Sequence, residues 1–221
     1  MDLLELADWR RALADLYAEV RQLARRDPVA AHARWRMVRE MMYRQHAQSP
    51  VPADQRGQYC GLYFPYNPDV RFEVRVKPPD VPDPALDAAR GTRPGTPTSA
   101  WEAAIPTSSG VDTKLLRLGT ARIPFTEGLR VLTVFWMSGY SGGLYLPFGD
   151  ATNGAETYHA GRYLLDGAKS ADLGGESERT LIMDFNFAYQ PSCAFDPRWA
   201  CPLTPRENRL DIAIRAGERL T

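Results

Sequence analysis

The stretch KLLRLGTARIPFTEGLRVLTVFWM, Lys114–Met137, decides the fold. Its apolar residues fall into short runs, Leu115–Leu118, Ala121–Phe125 and Leu129–Met137, parted by Gly119 and by Glu127-Gly128. Short runs bounded by glycine-bearing turns are strand signals, and links this tight leave no room for crossover helices, so neighbouring strands are antiparallel. The third run is apolar on both faces except at Arg130 and Thr133, which predicts a central strand.

Outward from this block, Leu144–Phe148 follows the Ser141-Gly142-Gly143 turn, and Glu156–Leu165, Leu181–Tyr189 and Leu210–Arg215 read as further strands. Upstream, Arg71–Lys77 alternates charged and apolar residues, as a half-buried strand does. The prediction is a mainly β fold, an antiparallel meander closing into a barrel, half-barrel or sandwich. Residues 78–100, rich in proline, glycine and small polar side chains, carry no apolar period and read as a flexible loop.

A pair of helices precedes the β domain. Leu6, Trp9, Leu13, Leu16, Val20 and Leu23 are spaced by three and four and make one stripe, with Asp2 as N-cap. Asp27-Pro28 ends that helix and starts a second, with Trp35, Val38 and Met42 on one face, which stops before Ser49-Pro50. The division expected is a helical arm at 1–48 and a β domain at 49–221. The stripe fits a seam between subunits or packing within the chain; under four heptads is short for a coiled coil, which favours the latter. A homo-oligomer formed through the arm stays an alternative.

The 221 residues include 27 basic and 27 acidic side chains, a formal net charge of zero, so the basic footprint of a nucleic-acid binder is missing. The start, Met1-Asp2-Leu3-Leu4-Glu5, lacks the positive and apolar regions of a secretory signal, and no apolar run is long enough for a bilayer. The expectation is a cytoplasmic protein without nucleic-acid or membrane partners. No glycine-rich phosphate loop follows a strand and opens a helix, and no cofactor is assigned.

Polar residues concentrate between Phe148 and Tyr163. Asp150–Gly154 reads as a turn held by Asp and Asn side chains. In a strand beyond it, period two sets Glu156, Tyr158 and Arg162 on one face and His159 and Tyr163 on the other; in the Leu181–Tyr189 strand, Asp184 and Asn186 share a face. Were these two strands paired, a carboxylate, an amide, a tyrosine and an arginine would converge as in a small-molecule site, with Arg162 on an anionic group and Glu156, His159 or Asp184 moving protons. The plainer alternative is the solvated outside of a sheet. Gly139-Tyr140-Ser141-Gly142-Gly143 matches the serine-hydrolase pattern, but a strand rather than a helix follows, so it reads as a hairpin turn. Cys193 and Cys201 lack the spacing and the second pair of a structural zinc site and stand as two thiols that a thiol redox or metal protein could use.

Several segments together resemble the bacterial and archaeal family known as domain of unknown function 1684. They are Gly61-Leu62-Tyr63-Phe64-Pro65, Pro147–Thr152 with Glu156-Thr157-Tyr158, Gly161-Arg162-Tyr163-Leu164, Asp184-Phe185-Asn186, the cysteine loop, and Glu207-Asn208-Arg209-Leu210 with Ala216-Gly217-Glu218. The family pattern maps onto Asp150, Thr152, Glu156, Tyr158, Arg162, Tyr163, Asp184, Asn186, Cys193, Cys201 and Asn208, with Gly149 and Gln190 as departures. The resemblance implies a mostly β fold and no particular reaction. The reading that follows is a small-molecule-binding β-barrel protein with a Glu/Tyr/Arg/Asp/Asn site. The alternatives are a non-catalytic interaction protein and a thiol protein.

Overall fold

In the computed structural model, residues 2–78, 102–138 and 142–220 are described. The expected loop at 78–100 lies almost wholly outside the described residues, as do Gly139, Tyr140 and Ser141 of the serine-hydrolase-like pattern. Helices α1 (Leu3–Ala24) and α2 (Pro28–Gln45) come first. The strands β1 (Arg71–Lys77), β2 (Glu102–Pro106), β3 (Asp112–Phe125), β4 (Gly128–Met137), β5 (Gly143–Phe148), β6 (Arg162–Asp166) and β7 (Thr180–Asp184) follow. They form one antiparallel sheet in the order β6-β5-β4-β3-β1-β7, with β2 paired to β3. The sheet curls into a half-barrel, and an isolated bridge joins Tyr163 of β6 to Tyr189 in the segment that follows β7.

The helices start as their caps dictate. Asp2 Oδ1 accepts from the Leu4 amide at 2.8 Å and Asp27 Oδ1 from the Ala30 amide at 2.9 Å, with Pro28 opening α2. Trp9, Leu13, Leu16 and Val20 of the α1 stripe are buried within the chain. Leu16 and Val20 join Trp35 of α2 against Leu115, Phe135 and Tyr145 of the sheet. A second cluster around Leu132, Val134, Phe148, Met183 and Phe185 is closed by Ile212 and Ile214 of the C-terminal tail. β4 is central, as its two-sided apolarity requires. Among the described residues, no helix is long and apolar enough to cross a membrane.

Four local expectations are corrected. Gly119 is not a turn: β3 runs through it with a register shift between Arg117 and Gly119. A Cβ there would stand 2.2 Å from the Lys77 carbonyl oxygen, so the glycine admits the backbone of β1. The strand expected from Glu156 begins only at Arg162, because Gly161 takes φ +101° after a tight turn. The strand from Leu181 stops at Asp184, whose carboxylate caps the Asn186 amide and starts a 3-10 turn over Phe185–Phe187. Leu210–Arg215 is no strand. Its backbone pairs instead with the 149–151 segment, Leu210 N to Gly149 O at 2.8 Å and Ala151 N to Ile212 O at 2.9 Å.

β4 and β5 join as an antiparallel pair with Met137 opposite Gly143. Past Phe135–Tyr145 the ladder between them stops, and the Asn208 side chain fills the gap. It donates to Thr133 O at 2.9 Å and Pro147 O at 2.8 Å and accepts from Thr133 N at 2.7 Å. Pro147 has no N–H to give the ladder, and the inserted amide supplies the missing donor.

Candidate functional site

The two segments meet in an antiparallel bridge at Tyr163 and Tyr189, but otherwise β6 pairs with β5 and β7 with β1, and the convergence foreseen from period two is not formed. The polar residues of that set divide among separate places. Arg162 is fully buried and spends its donors on the chain. Nη2 meets Asp150 Oδ2 at 2.7 Å and Ile214 O at 2.8 Å, while Nη1 meets Ala216 O and Glu218 O. Burial pulls its pKa down while Asp150 opposes the shift. The anion-binding role expected for Arg162 therefore gives way to clamping the tail. The other carboxylate oxygen of Asp150 accepts from the Thr152 amide at 2.7 Å and from the Thr152 hydroxyl, which fixes the 150–157 turn.

Asp184 and Asn186 form a second knot. Asn186 exchanges two hydrogen bonds with the Asn67 backbone, both 2.8 Å, and donates to Asp184 Oδ1 at 2.8 Å. Arg71 Nε lies 3.6 Å from Asp184 Oδ2. Burial raises the Asp184 pKa, and the bonds from Asn186 oppose that rise. Glu156 sits in neither knot: it takes a bidentate contact from Arg215 Nε, 3.0 Å to each oxygen, toward solvent. His159 is exposed, its ring tilted 55° against that of Tyr158 with centroids 4.4 Å apart. Tyr163 donates to Pro202 O at 2.6 Å.

A groove of about 650 Å³ opens elsewhere, between the 51–62 segment, the Gln190–Phe195 turn and the tail. Val51, Leu62 and Phe195 are among its apolar walls, and Gln55, Gln58, Gln190 and Arg219 bring polar groups. Glu218 and Tyr59 sit at its base. The Glu218 carboxylate, 1% exposed, accepts from Arg39 Nη2 at 3.0 Å, from the Gln190 amide at 2.7 Å and from the Tyr59 hydroxyl at 3.2 Å. Arg39 lies over the rings of Tyr43 at 4.3 Å and Tyr189 at 4.4 Å. Burial works against the Arg39 charge, but Glu218 overcomes it and holds the pKa above the ordinary value. Burial pushes the Tyr59 hydroxyl far up, with the Glu218 charge adding to the shift. Behind the base, Arg39 Nε and the hydroxyls of Tyr43 and Tyr63 are buried without a hydrogen-bond partner.

None of these base residues was singled out from sequence as a site. Arg39 follows Trp35 by one helical step and so falls on the buried face of α2, where a lone charge among aromatics signals a buried partner. Glu218 lies 179 positions away, and nothing local announces the pair.

On the far side of the same turn, Cys193 and Cys201 meet. The Cys193 amide donates to Cys201 Sγ at 3.3 Å, and the Tyr158 hydroxyl donates to Cys193 Sγ at 3.8 Å. Lys169 lies close by, with Nζ 3.2 Å from Ser192 Oγ and 5.0 Å from the Tyr189 ring centre. Its pKa is pulled down by burial, with Asp166 opposing. Both thiols are free. Among the described residues, no three His, Cys, Asp or Glu side chains gather as a metal site requires.

Comparison with known proteins gives a family and likenesses to solved structures. The model of a family described as "Protein of unknown function (DUF1684)" matches residues 59–219. The solution NMR structure of an uncharacterized protein of Haloarcula marismortui is similar at 29% identity and a TM-score of 0.55. The match covers 84% of this chain and 90% of that one. No curated protein matches.

Proposed function

This chain belongs to the DUF1684 family of proteins of unknown function, and from that premise we propose that it binds a small organic molecule in the groove above Glu218. The observation that carries the reading is the groove's construction: about 650 Å³ with apolar walls, over a buried carboxylate whose oxygens are already fixed by Arg39, Gln190 and Tyr59. Ligand sites fall in this size range and pair apolar walls with a few polar groups held in place. Fixed groups cost little entropy when a ligand arrives.

The lining favours a ligand with a flat apolar body against Tyr59 and Phe195, polar atoms for the Gln55 and Gln58 amides, and an anionic end near Arg219. Glu218 is an orienting group in this reading, since its oxygens are committed to the protein.

The probe is 1-anilinonaphthalene-8-sulfonate, an aromatic sulfonate of that shape. The full chain should bind it saturably at one site. Ala194→Trp, which fills the groove from the side, should weaken binding at least about tenfold, or about 1.4 kcal/mol, with an unchanged melting temperature. Equal binding by the two proteins contradicts the reading.

A further inference from the structure

We infer that Cys193 and Cys201 are a dithiol site oxidised to a disulfide by hydroperoxides, with Cys193 as the attacking sulfur and Cys201 as the resolving one. The inference is independent of ligand binding in the groove. It starts from placement. The Cys193 N–H points at Cys201 Sγ from 3.3 Å, which puts the two sulfur-bearing residues side by side although eight positions separate them. Both side chains are nearly buried, at 9% and 8% exposure, and neither is bridged.

The surroundings treat the two sulfurs differently. Cys193 Sγ accepts from the Tyr158 hydroxyl at 3.8 Å, and Cys201 Sγ accepts from the Cys193 N–H at 3.3 Å. The neighbouring Cys201 thiol is the largest influence on Cys193 and lowers its pKa to about 6, while Cys193 pushes the Cys201 thiol well up. Tyr145, Tyr163, Tyr158, Asp166 and Lys169 are the other titratable groups around the pair, and none of the tyrosines ionises near neutrality because burial raises all three. A thiol held low beside a thiol held high is the arrangement that two-step oxidation needs.

Access is short on either side. Tyr158, which covers Cys193 Sγ, is only partly buried, and Ala194, the next residue along the chain, lines the groove.

With hydrogen peroxide as oxidant the electrons balance. The Cys193 thiolate attacks one peroxide oxygen, forming an S–O bond as the O–O bond breaks. The departing hydroxide takes a proton from solvent and leaves as water, and Cys193 becomes a sulfenic acid. The Cys201 sulfur then attacks the Cys193 sulfur. The S–S bond forms, the S–O bond breaks, and the second hydroxide leaves as water with the Cys201 proton. Two thiols lose two electrons and the peroxide gains them.

The test uses the full chain with Cys60, the exposed third cysteine, replaced as Cys60→Ser so that it does not contribute. One equivalent of hydrogen peroxide should remove both remaining thiols and yield a proteolytic fragment in which Cys193 and Cys201 are linked. Adding Cys201→Ser should arrest Cys193 as a sulfenic acid that dimedone captures. Adding Cys193→Ser should slow peroxide consumption at least about tenfold, and alkylation of Cys193 should rise with pH around 6 rather than around 8.5. Should a serine variant fail to fold, mapping the linkage in the unsubstituted protein after peroxide decides between the same outcomes. Retention of both thiols after peroxide until the protein is unfolded would overturn the inference. So would oxidation only at Cys60, or a Cys193→Ser protein that reacts as fast as its parent.

Discussion

Arg162 Nη2 donates to Asp150 Oδ2 at 2.7 Å, and neither side chain has any exposure to solvent. The pair ties the first turn after β5 to β6, and Nη2 and Nη1 also fasten the carbonyls of Ile214, Ala216 and Glu218. A tail with no strand of its own is thereby held by one guanidinium, and it carries Glu218 into the base of the groove.

Asp150→Asn keeps the shape of that contact and removes its charge. A buried cation left without its counter-charge costs about 3–5 kcal/mol, so urea unfolding of this variant should show a loss of that size. A loss below about 1 kcal/mol would mean that the pair behaves like a surface ion pair.

Arg39 and Glu218 are buried together, at 3% and 1% side-chain exposure. Glu218→Gln should cost about 3–5 kcal/mol for the same reason. The double variant Arg39→Met/Glu218→Leu removes both charges at once and should lose less than either single substitution. Additive losses in the cycle would show that the two side chains do not act on each other.

Asn208 replaces ladder bonds between β4 and β5, and Asn208→Ala leaves the Thr133 N–H, Thr133 O and Pro147 O without that partner. Each buried group left unpaired costs about 1–3 kcal/mol, so this variant should be among the least stable single substitutions by thermal or urea unfolding. A near-neutral Asn208→Ala would show that the gap is not held by the amide.

His32 is enclosed by Trp35, Tyr66 and Phe187, with its Nε2 buried and unpartnered. Burial first, and the Arg36 charge second, lower its pKa from 6.5 to about 4. The folded state therefore keeps a neutral ring while the unfolded chain binds a proton below pH 6.5. The stability is complete above pH 6.5 and drains away as pH falls toward 4, by about 3 kcal/mol over the window. His32→Phe should lose less stability than the parent between pH 7 and pH 4 in urea titrations. Identical pH slopes would mean that the ring takes up its proton as readily in the fold as in the unfolded chain.

Much of the architecture was legible in the chain. The Asp2 and Asp27-Pro28 signals place both helices, and the Lys114–Met137 stretch reads correctly as the antiparallel centre of the sheet. What misled were residues whose tertiary partner overrides a local signal. Gly119 looks like a turn and is a passing place for β1. Asp184 and Asn186 look like one face of a strand, but the carboxylate ends that strand by capping its neighbour. The candidate site was less legible. The sequence marked Asp150, Arg162, Asn186 and Asn208 as special polar residues, and they are buried polar residues, but their partners are backbone and side-chain groups of the chain itself, brought in by the fold. The groove's base joins α2 to the tail across nearly the whole chain, a pairing that no periodicity encodes.

The measurement that bears most directly on the groove is an amide chemical-shift map of the isotope-labelled full chain titrated with 1-anilinonaphthalene-8-sulfonate. Binding above Glu218 predicts saturable shifts gathered on Tyr59–Leu62, on Gln190 with Ala194 and Phe195, and on Glu218–Leu220. Shifts confined to the outer face of α2, where Val29, Met37 and Met41 are exposed, would contradict it.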